Sequence, residues 1–220
     1  MDLKQLAATI DYSLLRPEAT YSEVRKACGE AKKFGFHAVC VFSQHVGLAR
    51  KALGKSNVKT VATIGYPHGN STINAKAQEA YDACAAGAQE IDMVMSITAF
   101  KSRDYAYVEK EVATVAEEVH ARGALLKVII ETGYLTQQEI AAAAKLVERG
   151  GADFVKTCTG YGPRGVTVED VKTIKQATRL PVKASAGIRT AAQALALIKA
   201  GASRIGTSYG PQVIETWQSK

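Results

Sequence analysis

The chain has 220 residues, an apolar fraction of 47% and a formal net charge of +7. That length suits one large domain with a substantial core, and no apolar run approaches the about 18 residues of a membrane span. The cations are spread among acids, without the charge runs, stacking pattern or zinc-finger spacing of a nucleic-acid binder, so neither nucleic acid nor a membrane is expected as partner.

Cys28, Cys40, Cys84 and Cys158 are widely spaced. No CxxC or Cys/His ligand spacing appears, so neither zinc nor a disulfide framework is expected, and reduced thiols fit a cytoplasmic protein. Met1–Gln5 lacks the basic-then-apolar order of a signal peptide. Asn70-Ser71-Thr72 is read as a chance sequon.

Along the chain, short β-branched runs alternate with amphipathic stretches. Strands are predicted at Thr9–Tyr12, Ala38–Phe42, Lys59–Gly65, Glu90–Ser96, Leu125–Glu131, Phe154–Thr159, Pro181–Ala186 and Arg204–Ser208. The clearest helix is Lys101–Arg122, where Val108, Val112, Val115 and Val119 recur at helical spacing. Thr20 with Glu23, Thr136 with Glu139 and Thr167 with Asp170 match capping boxes. Phe34-Gly35, Ala86-Gly87, Gly150-Gly151 and Ala200-Gly201 read as helix ends.

Eight such units predict a TIM (β/α)8 barrel in the α/β class, with residues 1–220 as a single catalytic domain. A doubly wound open sheet is the alternative. Polar residues at alternate strand positions favour the barrel. Asp92, Val94 and Ser96 share one face, as do Lys127, Ile129 and Glu131, and Phe154, Lys156 and Cys158. A barrel can point such a face into its interior.

Phe154-Val155-Lys156-Thr157-Cys158-Thr159-Gly160 places a lysine in an apolar strand, and Pro181-Val182-Lys183-Ala184-Ser185-Ala186-Gly187 repeats the design. Burying an ammonium is costly, so each amine either snorkels from a strand end or joins a functional site. On neighbouring strands about 4.8 Å apart, two ammonium groups roughly 6 Å from each other repel by about 3 kcal/mol at an effective dielectric near 20. Such crowding favours one neutral amine, able to attack a carbonyl and form a Schiff base without metal or cofactor. Asp92 is a counter-ion to the lysines, a proton-transfer group, or both.

Gly160-Tyr161-Gly162-Pro163-Arg164-Gly165 matches GxGxxG literally, but no acid follows about 20 residues on, as a dinucleotide site requires. It reads instead as a glycine loop whose amides approach a phosphate. Gly54-Lys55-Ser56 is not a P-loop, because Ala49 stands at its first glycine. Ser185–Thr190 and Arg204–Gly210 close strands seven and eight, and the loops after those strands are a common phosphate position in barrels. Among the histidines, His68 at a strand exit is placed to line a site. His37, His45 and His120 read as surface or structural.

These motifs together resemble the deoxyribose-phosphate aldolase family, from Ile10 to about Gly210. The resemblance rests on Ile10–Pro17, Ile64–Gly69, Glu90–Val94, Leu126–Thr132, Phe154–Thr157 and Val182–Ser185. It implies reversible cleavage of 2-deoxy-D-ribose 5-phosphate to D-glyceraldehyde 3-phosphate and acetaldehyde. It also implies Lys156 as the Schiff-base nucleophile, with Lys183 and Asp92 in proton transfer and Asp11 and Lys127 in support. Phosphate would meet the amides around Gly160, Gly187, Ile188 and Gly206, with Ser208 also contributing. Metal and cofactor are not expected. Barrels of this kind often associate, so a homo-oligomer is expected. The chain departs from the family at Tyr12-Ser13 for His-Thr, Ser96 for Asn, and Ala186 for the first glycine of a pair. Thr216–Lys220 holds no tyrosine, where some relatives carry one proposed to aid proton transfer. The alternatives are a Schiff-base aldolase for a longer sugar phosphate and a basic nucleic-acid-binding protein.

Overall fold

The strand that carries Asp92 sits midway round a closed barrel in which every strand pairs with its sequence neighbour, in parallel. The structure is a computed structural model that describes residues 1–218. The strands are β1 (Ile10–Leu14), β2 (Ala38–Phe42), β3 (Lys59–Ile64), β4 (Glu90–Val94), β5 (Leu125–Ile129), β6 (Phe154–Lys156), β7 (Val182–Ser185) and β8 (Ala202–Thr207). The sheet closes where Asp11 pairs with Gly206 and Tyr12 with Thr207. The predicted TIM barrel is therefore the observed fold. Of the tail residues, Ser219 and Lys220 lie outside the described residues.

Six predicted strands run further at their C-terminal ends than the observed ones, β4, β5 and β6 by two residues or more. The reason is chemical. Ser96 leaves the sheet to cap the next helix, its Oγ accepting from the Ala99 amide at 3.3 Å. Glu131 turns into the left-handed region at φ 51°. Beyond Lys156, the Thr157 hydroxyl donates to the Ser185 carbonyl on β7 at 3.2 Å and the Thr159 hydroxyl donates to Glu131, so side chains take over from regular backbone pairing. The inward alternation thus stops at Val94, Ile129 and Lys156.

Between the strands lie α1 (Leu3–Ala7), α2 (Tyr21–Phe34), α3 (Val46–Leu53), α4 (Ile73–Ala85), α5 (Ile97–Lys101), α6 (Tyr105–His120), α7 (Gln137–Arg149), α8 (Val168–Ala177), α9 (Ala191–Lys199) and α10 (Gly210–Glu215). The capping boxes at Thr20, Thr136 and Thr167 form as expected. The helix expected over Lys101–Arg122 starts later, at Tyr105, because Lys101 ends the separate helix α5. Arg103 takes φ 61°, and Asp104 starts α6 by accepting from the Tyr107 amide at 3.1 Å. A short carboxylate competing for backbone amides makes Asp104 a better N-cap than a helix-interior residue.

Strand alternation creates two apolar regions. One fills the shell between barrel and helices, with Val39, Ile91, Leu126, Val155 and Ile205 among its buried members. The other lies inside the barrel, where Leu15, Ala38, Cys40 and Val61 pack together on the β1–β3 side. The β4–β8 side of the interior, together with Asp11 of β1, carries charge instead. One further buried ion pair, Lys76–Glu111 at 2.6 Å, joins α4 to α6. It also fixes two loops at the barrel mouth. The Lys76 ammonium donates to the Gly69 and Val94 carbonyls, both at 2.8 Å, and Glu111 accepts from the Ser96 amide at 2.8 Å.

Candidate active site

Seven charged side chains project from β1, β4, β5, β6, β7 and β8 into the barrel. Register sets their spacing: Asp92 lies opposite Lys127, Lys156 opposite Lys183, and Lys183 opposite Arg204. Asp92 is the hub. Its Oδ2 accepts from the Lys156 and Lys183 ammonium groups, both at 2.7 Å, and its Oδ1 from Lys127 at 2.9 Å. All three lysines are buried.

The remaining contacts close a loop of alternating charge. Lys127 meets Glu90 at 2.6 Å, Glu90 lies 3.7 Å from Arg204, Arg204 lies 3.4 Å from Asp11, and Asp11 returns to Lys183 at 2.5 Å. His37 joins the loop at Glu90, at 2.9 Å. Lys156 is attached to the loop through Asp92 and is not a member of it. Four cations face three carboxylates, so the cluster retains positive charge and an electrostatic tension that one neutral amine would relieve.

The two flanking lysines are not equivalent. Lys183 has two carboxylate partners, Asp11 and Asp92, whereas Lys156 has one. Desolvation acts most strongly on Lys183 and disfavours its charge, but the attraction of Asp11 and Asp92 outweighs it and holds the ammonium above its ordinary range. Burial likewise acts against the Asp92 charge, yet Lys127, Lys156 and Lys183 together hold its carboxyl well below the usual range. The expected pairwise crowding is thus present, with Asp92 placed between the two amines as a shared counter-ion. Cys40 reaches the same carboxylate at 3.8 Å, and burial pushes its thiol up to about 11.

A cavity of about 670 Å³ opens at the C-terminal ends of the strands. Lys156 lines it and Lys183 does not. At its rim stand Gly160, Gly187, Gly206 and Ser208, four of the five residues expected around phosphate. The Ile188 side chain is turned into the core between barrel and helices, and its carbonyl accepts from the Thr207 hydroxyl at 2.6 Å. Ala186 takes φ 81°, the same left-handed value as Gly187, so the loop keeps a glycine-like path despite the alanine. That conformation costs an L-residue about 1–2 kcal/mol. A Cβ on Gly162 would stand 2.8 Å from the Glu131 carboxylate, and one on Gly165 would stand 2.7 Å from the Ala186 carbonyl oxygen. The literal GxGxxG therefore reflects close packing of the loop.

His68 lies outside the main cavity and lines a smaller neighbour of about 190 Å³ with Asn70 and Thr98. His45 is buried, and His37 and His120 pair with Glu90 and Asp153. Sequence reasoning did not single out Glu90, Arg204 or Arg189. Glu90 is two residues before Asp92, and that spacing on one strand was a usable signal. Arg189 lines the cavity beside Gly187 and stacks over Tyr209 at 4.8 Å. Its placement depends on the loop path, which no periodicity encodes.

A family model described as DeoC/LacD family aldolase matches residues 1–216. The chain belongs to this aldolase family. A deoxyribose-phosphate aldolase of Thermoanaerobacter sp. (strain X514) is 49% identical over 215 residues, covering 96% of each chain. The solved structure titled "QR15, an Aldolase" superposes with a TM-score of 0.92 at 40% identity, covering 98% of this chain and 95% of that one. A deoxyribose phosphate aldolase from Aeropyrum pernix, described as having a unique tetrameric structure, superposes with a TM-score of 0.88 at 32% identity. It covers 97% of this chain and 91% of its own.

The charge cluster gives this aldolase a defined pH response. Asp92 is depressed, so its stabilisation is present above the unfolded carboxylate value of about 3.9 and is lost as pH falls through the folded value. Lys183 is raised, so its stabilisation is present below about 10.4 and is lost as pH rises through its folded value. Urea unfolding against pH should show a plateau between about pH 5 and 10. Asp92→Asn should lower that plateau by about 3–5 kcal/mol, because three buried ammonium groups lose their shared partner. It should also flatten the acid limb. An unchanged acid limb would mean that Asp92 does not set it.

Proposed function

We propose that this chain is a class I aldolase that reversibly cleaves 2-deoxy-D-ribose 5-phosphate to D-glyceraldehyde 3-phosphate and acetaldehyde. The observation that carries the reading is positional. Of the three lysines on Asp92, Lys156 is the one that lines the cavity. The names of the closely similar relatives give the substrate class.

In the cleavage direction, free-base Lys156 attacks the aldehyde carbon of the open-chain sugar, and loss of water gives an iminium. The C3 hydroxyl then gives up its proton, and the C2–C3 bonding electrons pass into the enamine. D-glyceraldehyde 3-phosphate leaves. Protonation of the enamine carbon and hydrolysis release acetaldehyde and return the amine. Asp92, touching both Lys156 and Lys183, is placed to pass protons between them. Lys183 keeps a positive charge beside the reacting nitrogen. The rim glycines, Ser208 and Arg189 face the phosphate, and Asp11 and Lys127 hold the cluster in register.

A cytoplasmic location and a homo-oligomeric state complete the proposal. The four free cysteines support the first. The tetrameric Aeropyrum pernix relative supports the second. Light scattering should return a mass above that of one chain, and a monomer mass would remove the oligomer from the reading.

Borohydride with acetaldehyde should add one ethyl group, found by peptide mapping on Lys156. Cleavage should fall to background in Lys156→Ala, and normal turnover by that variant would rule the mechanism out. Trapping with acetaldehyde also separates this reading from an aldolase that takes a longer sugar phosphate as donor. Lys183→Met removes a cation beside the nucleophile. The acidic limb of its pH–rate profile should move to higher pH, and a profile that does not move would contradict the electrostatic role of Lys183.

A further inference from the structure

A second carboxylate near the site has no part in the Schiff-base chemistry. Glu131 follows β5, is 2% exposed, and adopts φ 51° and ψ 67°, a left-handed conformation disfavoured for any residue with a Cβ. Among the described residues it forms no ion pair, and its Oε1 has no hydrogen-bond partner. Its Oε2 takes two donors from one residue, the Thr159 amide at 3.0 Å and the Thr159 hydroxyl. A buried, strained carboxylate aimed at a single loop residue points to a task at that residue.

Thr159 is immobilised at every polar atom. Its carbonyl accepts from the Tyr66 hydroxyl at 2.7 Å, and its Oγ1 also accepts from the Tyr161 amide at 3.0 Å. The next residue, Gly160, turns at φ 100° onto the cavity rim. Gly162 then passes so close to the Glu131 carboxylate that an added Cβ would stand 2.8 Å from its Oε1 and displace it. The far end of the loop is pinned separately. Arg164 grips Asp170 through two bonds of 2.6 and 3.0 Å and donates to the Thr132 carbonyl at 3.0 Å. Thr132 is the residue after Glu131, so both ends of the glycine loop are fastened to the exit of β5.

We infer that Glu131 is a positioning residue that sets the phosphate-facing edge of the cavity, and that preference for a phosphorylated over an unphosphorylated sugar runs through its grip on Thr159. The inference rests on the phosphate reading given above for Gly160. Glu131 acts through Thr159 and touches neither the nucleophile nor its partners in the structure. The charge-assisted bonds from Thr159 are stronger than neutral ones would be, which suits a loop that must hold its amides against a dianion.

The test compares 2-deoxyribose 5-phosphate with unphosphorylated 2-deoxyribose. In Glu131→Ala, KM for the phosphorylated sugar should rise by about tenfold or more while kcat changes less, and the ratio of kcat/KM between the two sugars should fall by about tenfold. Glu131→Gln, which keeps an acceptor oxygen for Thr159, should recover most of that ratio. Parallel losses on both sugars would mean that Glu131 serves only stability and would overturn the inference, as would an unaltered ratio. If Glu131→Ala does not fold, Thr159→Val carries the test, with a fall in the ratio of about threefold expected and parallel loss overturning it. Acetaldehyde trapping of the parent enzyme is the control. Its failure sinks the aldolase reading, whereas success with an unaltered ratio sinks only the role of Glu131.

Discussion

Three ammonium groups share one carboxylate, that of Asp92, and the interior of the barrel is arranged to make this tolerable. Each lysine comes from a different strand, so the parallel register sets their mutual distance. Taking so many charges out of water is expensive, and the cost is recovered only when every one has a close partner of opposite sign. The alternating path through Lys183, Asp11, Arg204, Glu90 and Lys127 supplies those partners. The apolar cluster of Leu15, Ala38, Cys40 and Val61 fills the opposite side of the barrel interior. Lys156 differs from its neighbours by having a single carboxylate partner and a free side toward the cavity.

Much of this was legible in the residue pattern because strands impose a period of two. A lysine in Phe154–Lys156 and another in Val182–Ser185 announce themselves by contrast with their surroundings, and Asp92 does the same. The capping boxes were equally plain, since their chemistry is local. Arg204 and Glu90 were harder to see. Glu90 opens its strand and Arg204 opens the predicted one, and their meaning depends on partners contributed by β1, β5 and β7. The predicted strands overrun furthest where a polar residue leaves the ladder for a loop or cap, as Ser96 and Glu131 do. The break at Arg103 was hidden by valines that keep helical spacing on the far side of it.

The rim of the cavity obeys different rules from its floor. On the floor, position follows from strand register and burial. At the rim, backbone conformation decides, and two residues with side chains, Glu131 and Ala186, adopt angles that glycine would accept more easily. Each is tied to the glycine loop, Glu131 through Thr159 and Ala186 through the Val166 amide at 3.3 Å. The same loop carries Arg164, whose hold on Asp170 links the rim to the first turn of α8.

The attachment of Lys156 from outside the charge loop has a consequence for turnover. An alkyl iminium carries the same single positive charge as the ammonium it replaces, and water is the leaving molecule. The resting ammonium and the iminium are therefore isocoulombic end states, with the neutral amine that attacks formed between them. The groups beneath it, from Asp92 down to His37, meet an equivalent cation in the resting enzyme and after the substrate is joined. Between the resting enzyme and the iminium the protein matrix therefore has little net dielectric reorganisation to perform, and a stiff barrel can serve as the host.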